Sequence, residues 1–240
     1  MDHYLQITTK CNMACEHCCF NCGGDQPYEH MSMATLKKAF KFMYAFGPVY
    51  SITIGGGEPT IHPDFWNMFG AIMEFAAKNE AKVGMVTNGK LQFRAMALSM
   101  LCNPESENGF DIALSADSFH EKIPNLVIDT FKGNNCSVRD NDYYSSYIES
   151  GRARETSAYG KGAHMYDHPD NDNTSCVCDA VFISPNGDVR QCGCEGRWNL
   201  NYDWEPNPVL GNVSAVWPSK SKLFNEDGDH IGCWRGMPSI

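Results

Sequence analysis

Short apolar segments alternate along the chain with longer amphipathic segments. Over the first of them, apolar and polar residues alternate with a period of about two, which is typical of a β-strand. Four later apolar segments of similar length are also rich in β-branched and aromatic residues. We therefore predict five strands, at Tyr4–Thr8, Val49–Ile54, Lys82–Val86, Asp111–Leu114 and Cys136–Arg139.

The segments between these strands place apolar residues three and four positions apart, as one face of a helix requires. In the first of these segments Ser32 can cap the helix start, and Gly47-Pro48 ends the periodicity. The predicted helices are Met33–Phe46, Phe65–Lys78, Leu91–Cys102 and Ile123–Lys132. Because strands that alternate with helices imply right-handed crossovers and a parallel sheet, we expect an α/β fold.

Five cysteines, Cys11, Cys15, Cys18, Cys19 and Cys22, fall within twelve residues of one another. Buried structural cysteines need no fixed spacing, whereas thiolates at regular short spacing converge on one metal centre. Cys11, Cys15 and Cys18 form the pattern C-x-x-x-C-x-x-C, and three thiolates leave one iron of a [4Fe–4S] cluster open for another ligand. The alternative is a zinc site that adds Cys22 to these three thiols, and the spacing alone leaves it open.

A glycine-rich motif, Gly55-Gly56-Gly57-Glu58-Pro59, follows the second predicted strand. Together with the three-cysteine motif it resembles the radical S-adenosylmethionine (SAM) enzymes, and a zinc site would leave it unexplained. The resemblance implies a partial (β/α) TIM-like barrel of up to six strands, although the sequence does not place a sixth. In such a barrel the functional residues lie at the carboxyl ends of the strands.

The resemblance also implies the residues of the site. Cys11, Cys15 and Cys18 would be the catalytic cysteines that bind the cluster, and SAM would chelate the remaining iron. The residues expected to bind SAM are Gly56, Gly57, Glu58, Thr87, Asn88, Ser115, Asp117 and Arg139. For Ser115 and Asp117 the alternative is that they cap the following helix. An electron from a flavodoxin- or ferredoxin-type donor would cleave SAM to a 5′-deoxyadenosyl radical, which abstracts a hydrogen atom from the substrate.

A second group of cysteines lies in the C-terminal third of the chain. Two C-x-C pairs flank a segment with a strong turn signal, Pro185-Asn186-Gly187-Asp188, which predicts a β-hairpin. This pattern, followed by Leu210-Gly211-Asn212-Val213, resembles the start of the SPASM/twitch extension of radical SAM enzymes and implies one auxiliary [4Fe–4S] cluster. Its candidate ligands are Cys176, Cys178, Cys192, Cys194 and Cys233, and a zinc site from the same thiols remains open.

We therefore expect two units in the chain. The first is a radical SAM partial barrel over residues 1–165, and the second is a small C-terminal, hairpin-containing auxiliary iron–sulfur domain over residues 166–240. Shortly before the boundary, Gly151-Arg152-Ala153-Arg154 contains a segment that resembles the GRA segment found late in the barrel of enzymes with such a domain. The alternative for this segment is a helix end with two solvated arginines.

The composition narrows the classes of partner. The chain of 240 residues is 42% hydrophobic, which suffices for a core, and its net charge of −10 argues against a nucleic-acid-binding surface. We find no apolar run long enough to span a membrane and no signal-peptide pattern at the N-terminus. Because the cysteines are grouped at metal-ligand spacing, we expect a cytoplasmic protein rather than a secreted disulfide scaffold.

The substrate is the feature that the sequence constrains least, since no substrate-specific motif is present. The resemblance is compatible with a peptide or amino-acid substrate, which we favour, and with a small sugar or nucleotide. A function of a different class, a non-catalytic zinc-binding module, would use both groups of thiols but would leave the glycine-rich motif without a role.

Overall fold

The structure is a computed structural model that describes residues 1–140, 152, 180–191, 193, 196–198 and 204–224; for residues 196–198 and 204–206 it describes the backbone alone. These residues form an α/β fold built on a largely parallel sheet, as predicted. The helices are α1 (Met33–Phe46), α2 (Phe65–Lys78), α3 (Gln92–Ser99) and α4 (Asn125–Gly133).

The main sheet has eight strands in the order β10-β7-β6-β1-β2-β3-β4-β5. Its strands are β1 (Asp2–Thr8), β2 (Ser51–Gly56), β3 (Lys82–Thr87), β4 (Phe110–Ser115), β5 (Ser137–Arg139), β6 (Ala180–Ile183), β7 (Asp188–Arg190) and β10 (Gly211–Asn212). A separate two-stranded sheet pairs β8 (Gly196–Trp198) with β9 (Trp204–Pro206). The five strands predicted for the barrel are therefore all present and run parallel in sequence order.

A sixth parallel strand, which the sequence did not place, is β6. It pairs with β1 on the side opposite to β2, in a register that runs from Asp2↔Ala180 to Leu5↔Ile183. β6 then turns back into the antiparallel β7, so the predicted hairpin is confirmed. Because this hairpin extends the main sheet, it is joined directly to β1; the division of the chain at 165/166 stays a prediction.

Local signals fixed the helix ends. The hydroxyl of Ser32 accepts a hydrogen bond from the Thr35 amide at 3.0 Å, and α1 begins where this cap predicts. Helix α3 is shorter than predicted, since its last residues form tight i→i−3 turns instead, with Cys102 N donating to Ser99 O at 3.2 Å. Pro104 disfavours helical conformation in Asn103, so the helix is not expected to extend past Cys102.

The two faces of the parallel strands have different neighbours. Leu5, Ile52 and Ile112 are fully buried and belong to one hydrophobic core with residues of all four helices. The residues that precede or follow them on the strands, such as Tyr4 and Thr53, line a cavity on the other face. The strands thus separate a dry core from a cavity that can receive ligands. Within the described part of the chain, no helix is both long and apolar enough to cross a bilayer.

Candidate active site

The cavity, of about 820 Å³, brings together every predicted site residue that the structure describes. They come from the loop after β1, the glycine-rich motif after β2 and the carboxyl ends of β3, β4 and β5. The residues concerned are Cys11, Cys15, Cys18, Gly56, Gly57, Glu58, Thr87, Asn88, Ser115, Asp117 and Arg139. The candidate auxiliary ligands Cys176, Cys178, Cys192, Cys194 and Cys233 lie outside the described residues.

The segment from Cys11 to Gly24, here called the cysteine loop, turns its three predicted ligand thiols toward one another. Successive turns are closed by Cys18 N donating to Cys15 O and Asn21 N donating to Cys18 O, each at 3.2 Å. Burial raises the pKa of the Cys11 thiol to about 11. Burial, and then the charges of the Cys11 and Cys18 thiolates, raise the pKa of Cys15 to about 12.

Cys22, the fourth thiol of the zinc alternative, pairs with Cys18. Its amide donates to the Cys18 sulfur at 3.3 Å, and a hydrogen bond between the two thiols lowers the pKa of Cys18 and raises that of Cys22. Three thiols that line one cavity are a donor set that fits three irons of a [4Fe–4S] cluster. The chemistry of these side chains is therefore compatible with the cluster that the motif predicts.

The glycine-rich motif packs against the start of the cysteine loop. Gly56 has φ = 126°, and a Cβ there would lie 2.2 Å from Thr8 O. A Cβ on Gly57 would lie 2.1 Å from Lys10 O. The amides of Gly57 and Glu58 donate to these same carbonyls of Thr8 and Lys10, each at 2.8 Å. Glycine is thus required by the approach of the protein's own backbone, while contact of the motif with SAM stays a prediction.

The carboxylate of Glu58 is buried beneath the rim of the cavity and accepts four hydrogen bonds. Oε1 accepts from the amide and hydroxyl of Thr60 at 3.1 and 2.6 Å and from the Thr87 hydroxyl at 2.9 Å, and Oε2 accepts from Asn88 N at 2.7 Å. Burial raises the pKa of Glu58, and these hydrogen bonds oppose the rise. Both oxygens therefore serve to join the ends of β2 and β3.

Asp117 has an ordered carboxylate after β4. Its Oδ1 accepts hydrogen bonds from Phe119 N at 3.0 Å and from His120 Nδ1 at 2.7 Å. Burial opposes its ionisation, but the hydrogen bond and charge of His120 outweigh it and lower the pKa of Asp117. Helix α4 begins only at Asn125, so the alternative in which Ser115 and Asp117 cap that helix is wrong.

His17 lies beside this carboxylate, with its ring 4.8 Å from His120 and 5.1 Å from Phe119. Burial, followed by the charge of His120, lowers the pKa of His17 to about 4, so the ring is neutral at physiological pH. Side-chain ligand atoms of His17, Asp117 and His120 lie within 4.8 Å of one another, close enough to hold a metal ion in principle. The hydrogen bond between Asp117 and His120 already uses two of those atoms.

Sequence reasoning missed an aromatic cluster that lines the same cavity. Tyr4 of β1, Phe20 of the cysteine loop and Phe182 of β6 have ring centroids 5.5 to 6.0 Å apart. The alternation of β1 already placed Tyr4 on the cavity face. The proximity of the other two rings depends on the pairing of β6 with β1, for which the sequence carries no local signal.

Comparison with known proteins gives a family match over the part of the chain that builds this site. Residues 5–128 match the sequence model described as the Radical SAM superfamily. The chain is 34% identical over 122 residues to an S-adenosylmethionine-dependent nucleotide dehydratase of Selenomonas ruminantium. This matched segment covers 49% of this chain and 39% of that protein. The chain is also 34% identical over 84 residues to the mycofactocin maturase MftC of Mycobacterium tuberculosis, covering 35% of this chain and 20% of that protein.

The fold has a solved counterpart as well. The crystal structure of BtrN in complex with AdoMet and 2-DOIA superimposes with a TM-score of 0.57 at 17% sequence identity, over 89% of this chain and 80% of that chain. The matched segments thus span less than half the length of the two curated relatives, whereas the structural match extends over most of both chains.

Replacing Glu58 by Gln is expected to destabilise the protein by about 1–3 kcal/mol, because an NH₂ group would face donors and leave buried groups unpaired. The measurement is the urea midpoint of the metal-free protein under reducing conditions. Glu74→Gln is the matched control, since Glu74 is an exposed carboxylate paired with Lys78, and we expect its midpoint to match that of the wild type. Equal midpoints for the two variants would contradict the role assigned to Glu58.

Proposed function

The chain belongs to the radical SAM superfamily, and we propose that this SAM-using enzyme abstracts a hydrogen atom from a substrate held in the cavity described above. The observation that carries the proposal is the convergence of all the described predicted site residues on that one cavity. Convergence is informative because these residues come from five separate strand ends, which the parallel arrangement of the strands brings to one edge of the sheet.

The predicted site residues have two different roles: the cysteines bind the cluster, and residues at the strand ends bind SAM. Cys11, Cys15 and Cys18 hold three irons of the [4Fe–4S] cluster, and the fourth binds SAM. When bound and reduced by a flavodoxin- or ferredoxin-type donor, the cluster and SAM supply a 5′-deoxyadenosyl radical. The ordered carboxylate of Asp117 accepts hydrogen bonds from SAM, and the cation of Arg139, on the cavity wall, pairs with the SAM carboxylate.

The remaining rim residues orient the bound groups. The backbone of Gly56 and Gly57 and the side chains of Thr87, Asn88 and Ser115 lie at the same edge of the sheet. Asn88 already reaches the cysteine loop, with Nδ2 donating to Asn12 Oδ1 at 2.9 Å. Beside them the aromatic cluster excludes water, which would otherwise compete for a reactive radical.

Anaerobic reconstitution of the protein with iron and sulfide, followed by SAM and a strong reductant, is expected to release 5′-deoxyadenosine. Cys15→Ala should abolish release, because it removes one of three iron ligands. Cys102→Ala is the matched control, since Cys102 lies outside the cavity with its thiol near Asp111, and it should retain the wild-type rate. The amount of 5′-deoxyadenosine released is measured by chromatography. Equal release from both variants, or a wild type that binds zinc and no iron, would refute the proposed function.

For the substrate we propose a peptide or an amino-acid residue within one, modified in the manner of a maturase. The name of one relative, MftC, is that of a maturase. Among the described residues on the cavity wall, Arg139 is the one Lys or Arg side chain. Its charge is already paired with the SAM carboxylate. A nucleoside triphosphate would require further cations to neutralise its phosphates, which disfavours it here.

A nucleotide substrate is the second candidate because one relative is named a nucleotide dehydratase. If the peptide proposal is correct, ATP, GTP, CTP and UTP at up to about 1 mM should each leave the rate of 5′-deoxyadenosine release at its substrate-free value. The rates are compared with and without each nucleotide in the reconstituted enzyme. A saturable increase with one nucleotide would replace the peptide by that nucleotide as the proposed substrate.

We also propose that residues 166–240 form the auxiliary unit and hold one further [4Fe–4S] cluster through cysteines among Cys176, Cys178, Cys192, Cys194 and Cys233. The hairpin of β6 and β7, which the first two of these cysteines precede in sequence, supports the resemblance to a SPASM/twitch extension. Residues 1–165 would then form the catalytic barrel. Zinc bound by the same thiols is the alternative.

Two clusters predict a specific metal content. Replacing Cys11, Cys15 and Cys18 together by Ala should lower the iron of the reconstituted protein from about eight to about four atoms per chain, since each [4Fe–4S] cluster contains four. The double variant Cys176→Ala/Cys192→Ala is the complementary control and should also retain about four. Iron and zinc are measured by mass spectrometry. A triple variant that holds zinc but no iron would establish the zinc alternative for the second group.

A further inference from the structure

One arginine remote in sequence contacts the cysteine loop at several carbonyl oxygens. Nη1 of Arg152 donates to Cys15 O at 2.7 Å, and Nη2 donates to Cys22 O at 2.9 Å and to Gly23 O at 3.3 Å. The Arg152 amide also donates to Cys18 O at 2.9 Å. The alternative of a solvated arginine at a helix end is therefore wrong for Arg152, whose side chain is half-buried and bonded to the loop.

These contacts add longer links to those that the loop makes by itself. Its own hydrogen bonds are short-range, from Cys18 to Cys15, from Asn21 to Cys18 and from Cys22 to Cys18. Asn21 has φ = 49°, a conformation that costs free energy in a non-glycine residue and needs support from its surroundings. The planar guanidinium spans the first turn and the end of the loop together, which a single-point donor could not do.

The charge of Arg152 also acts on the cysteine loop. In the part of the chain that the structure describes, the ion pairs between side chains do not include Arg152. Its guanidinium instead lies against the backbone of Cys15 and Cys22, which flank Cys18 in the loop. A fixed cation beside sulfur ligands stabilises whichever state of a bound cluster carries more negative charge.

We propose that Arg152 is a positioning residue that holds the cysteine loop in its ligand-binding conformation and, through its charge, makes the bound cluster easier to reduce. This inference rests on the proposed function. A cluster gains one negative charge on reduction, so Arg152 stabilises the reduced state more than the oxidised one. Removing the charge should therefore move the midpoint potential to a more negative value.

Three variants separate geometry from charge. Arg152→Gln removes both, whereas Arg152→Lys keeps the charge but cannot span the separated carbonyls. Arg190→Gln is the matched control, because the guanidinium of Arg190 donates to the carbonyl of Asn207 at 2.9 Å and, among the described residues, has no hydrogen bond to the cysteine loop. Circular dichroism of each purified protein establishes that it is folded before either measurement.

Hydrogen exchange in the metal-free protein tests the geometric part without any cluster. Loss of charge-assisted hydrogen bonds in Arg152→Gln should speed exchange of the loop amides, including those of Cys18 and Asn21, by about tenfold or more. Exchange in α2 should stay unchanged, and Arg190→Gln should match the wild type in both segments. Loop exchange in Arg152→Gln equal to that of the wild type would overturn the positioning role.

The redox part is tested on reconstituted protein by titration of the reduced cluster's electron paramagnetic resonance signal. The midpoint potential should become more negative in Arg152→Gln and return toward the wild-type value in Arg152→Lys. Equal potentials in all variants would overturn the electrostatic role while leaving the proposed function standing. A wild type that assembles no cluster would refute the proposed function itself, and the exchange measurement would still decide the positioning role. If Arg152→Gln does not fold, Arg152→Lys with fast loop exchange and a near-wild-type potential supports both parts.

Discussion

The carboxylate of Glu58, held between the ends of β2 and β3, is the interaction on which the cavity depends. Burying an ionised carboxylate costs several kcal/mol unless donors replace its hydration. Here four hydrogen bonds do so. Two come from Thr60, in the same turn as Glu58, and the two from Thr87 and Asn88 are available only when the two strand ends lie side by side. The hydrogen bonding of the Glu58 carboxylate therefore depends on the folded arrangement of the rim.

The hydrogen bonds around Glu58 continue to the cysteine loop. Asn88, whose amide binds Glu58, also donates through its side chain to Asn12 Oδ1, and Lys90 Nζ donates to Asn12 O at 2.8 Å. From the other direction the amides of Gly57 and Glu58 donate to the carbonyls of Thr8 and Lys10. The loop that carries the thiols is thus fixed at its start by β2 and β3, and Arg152 acts on its middle and end.

Features that depend on residues close together in the sequence could be predicted from it, whereas contacts between residues far apart in the sequence could not. Helices α1 and α2 begin and end where predicted, because amphipathic periodicity and a cap such as Ser32 are local properties. Strand β6 was recognised as one arm of a hairpin but not as the neighbour of β1, since that pairing joins residues far apart in sequence. The contact of Arg152 with Cys15 spans 137 positions, and no local pattern encodes it.

The site residues divide in the same way. Motif spacing identified Cys11, Cys15 and Cys18, which the fold brings to one cavity. It could not reveal that His120 orders the Asp117 carboxylate, because a histidine three residues after an aspartate has no distinctive spacing. Nor could it reveal that the motif glycines are required by the backbone of Thr8 and Lys10, because that requirement arises only when two strands meet.

These restraints matter because burial makes two of the three thiols poor ligands in the metal-free state. With the pKa of Cys11 at about 11 and that of Cys15 at about 12, each of these two thiols must lose a proton before it can bind iron, and that loss offsets part of the binding free energy. A loop that also had to be ordered on binding would lose further conformational entropy. By fixing the loop beforehand through β2, β3 and Arg152, the fold removes that second cost, so that the free energy of metal–sulfur bonding has only deprotonation to offset.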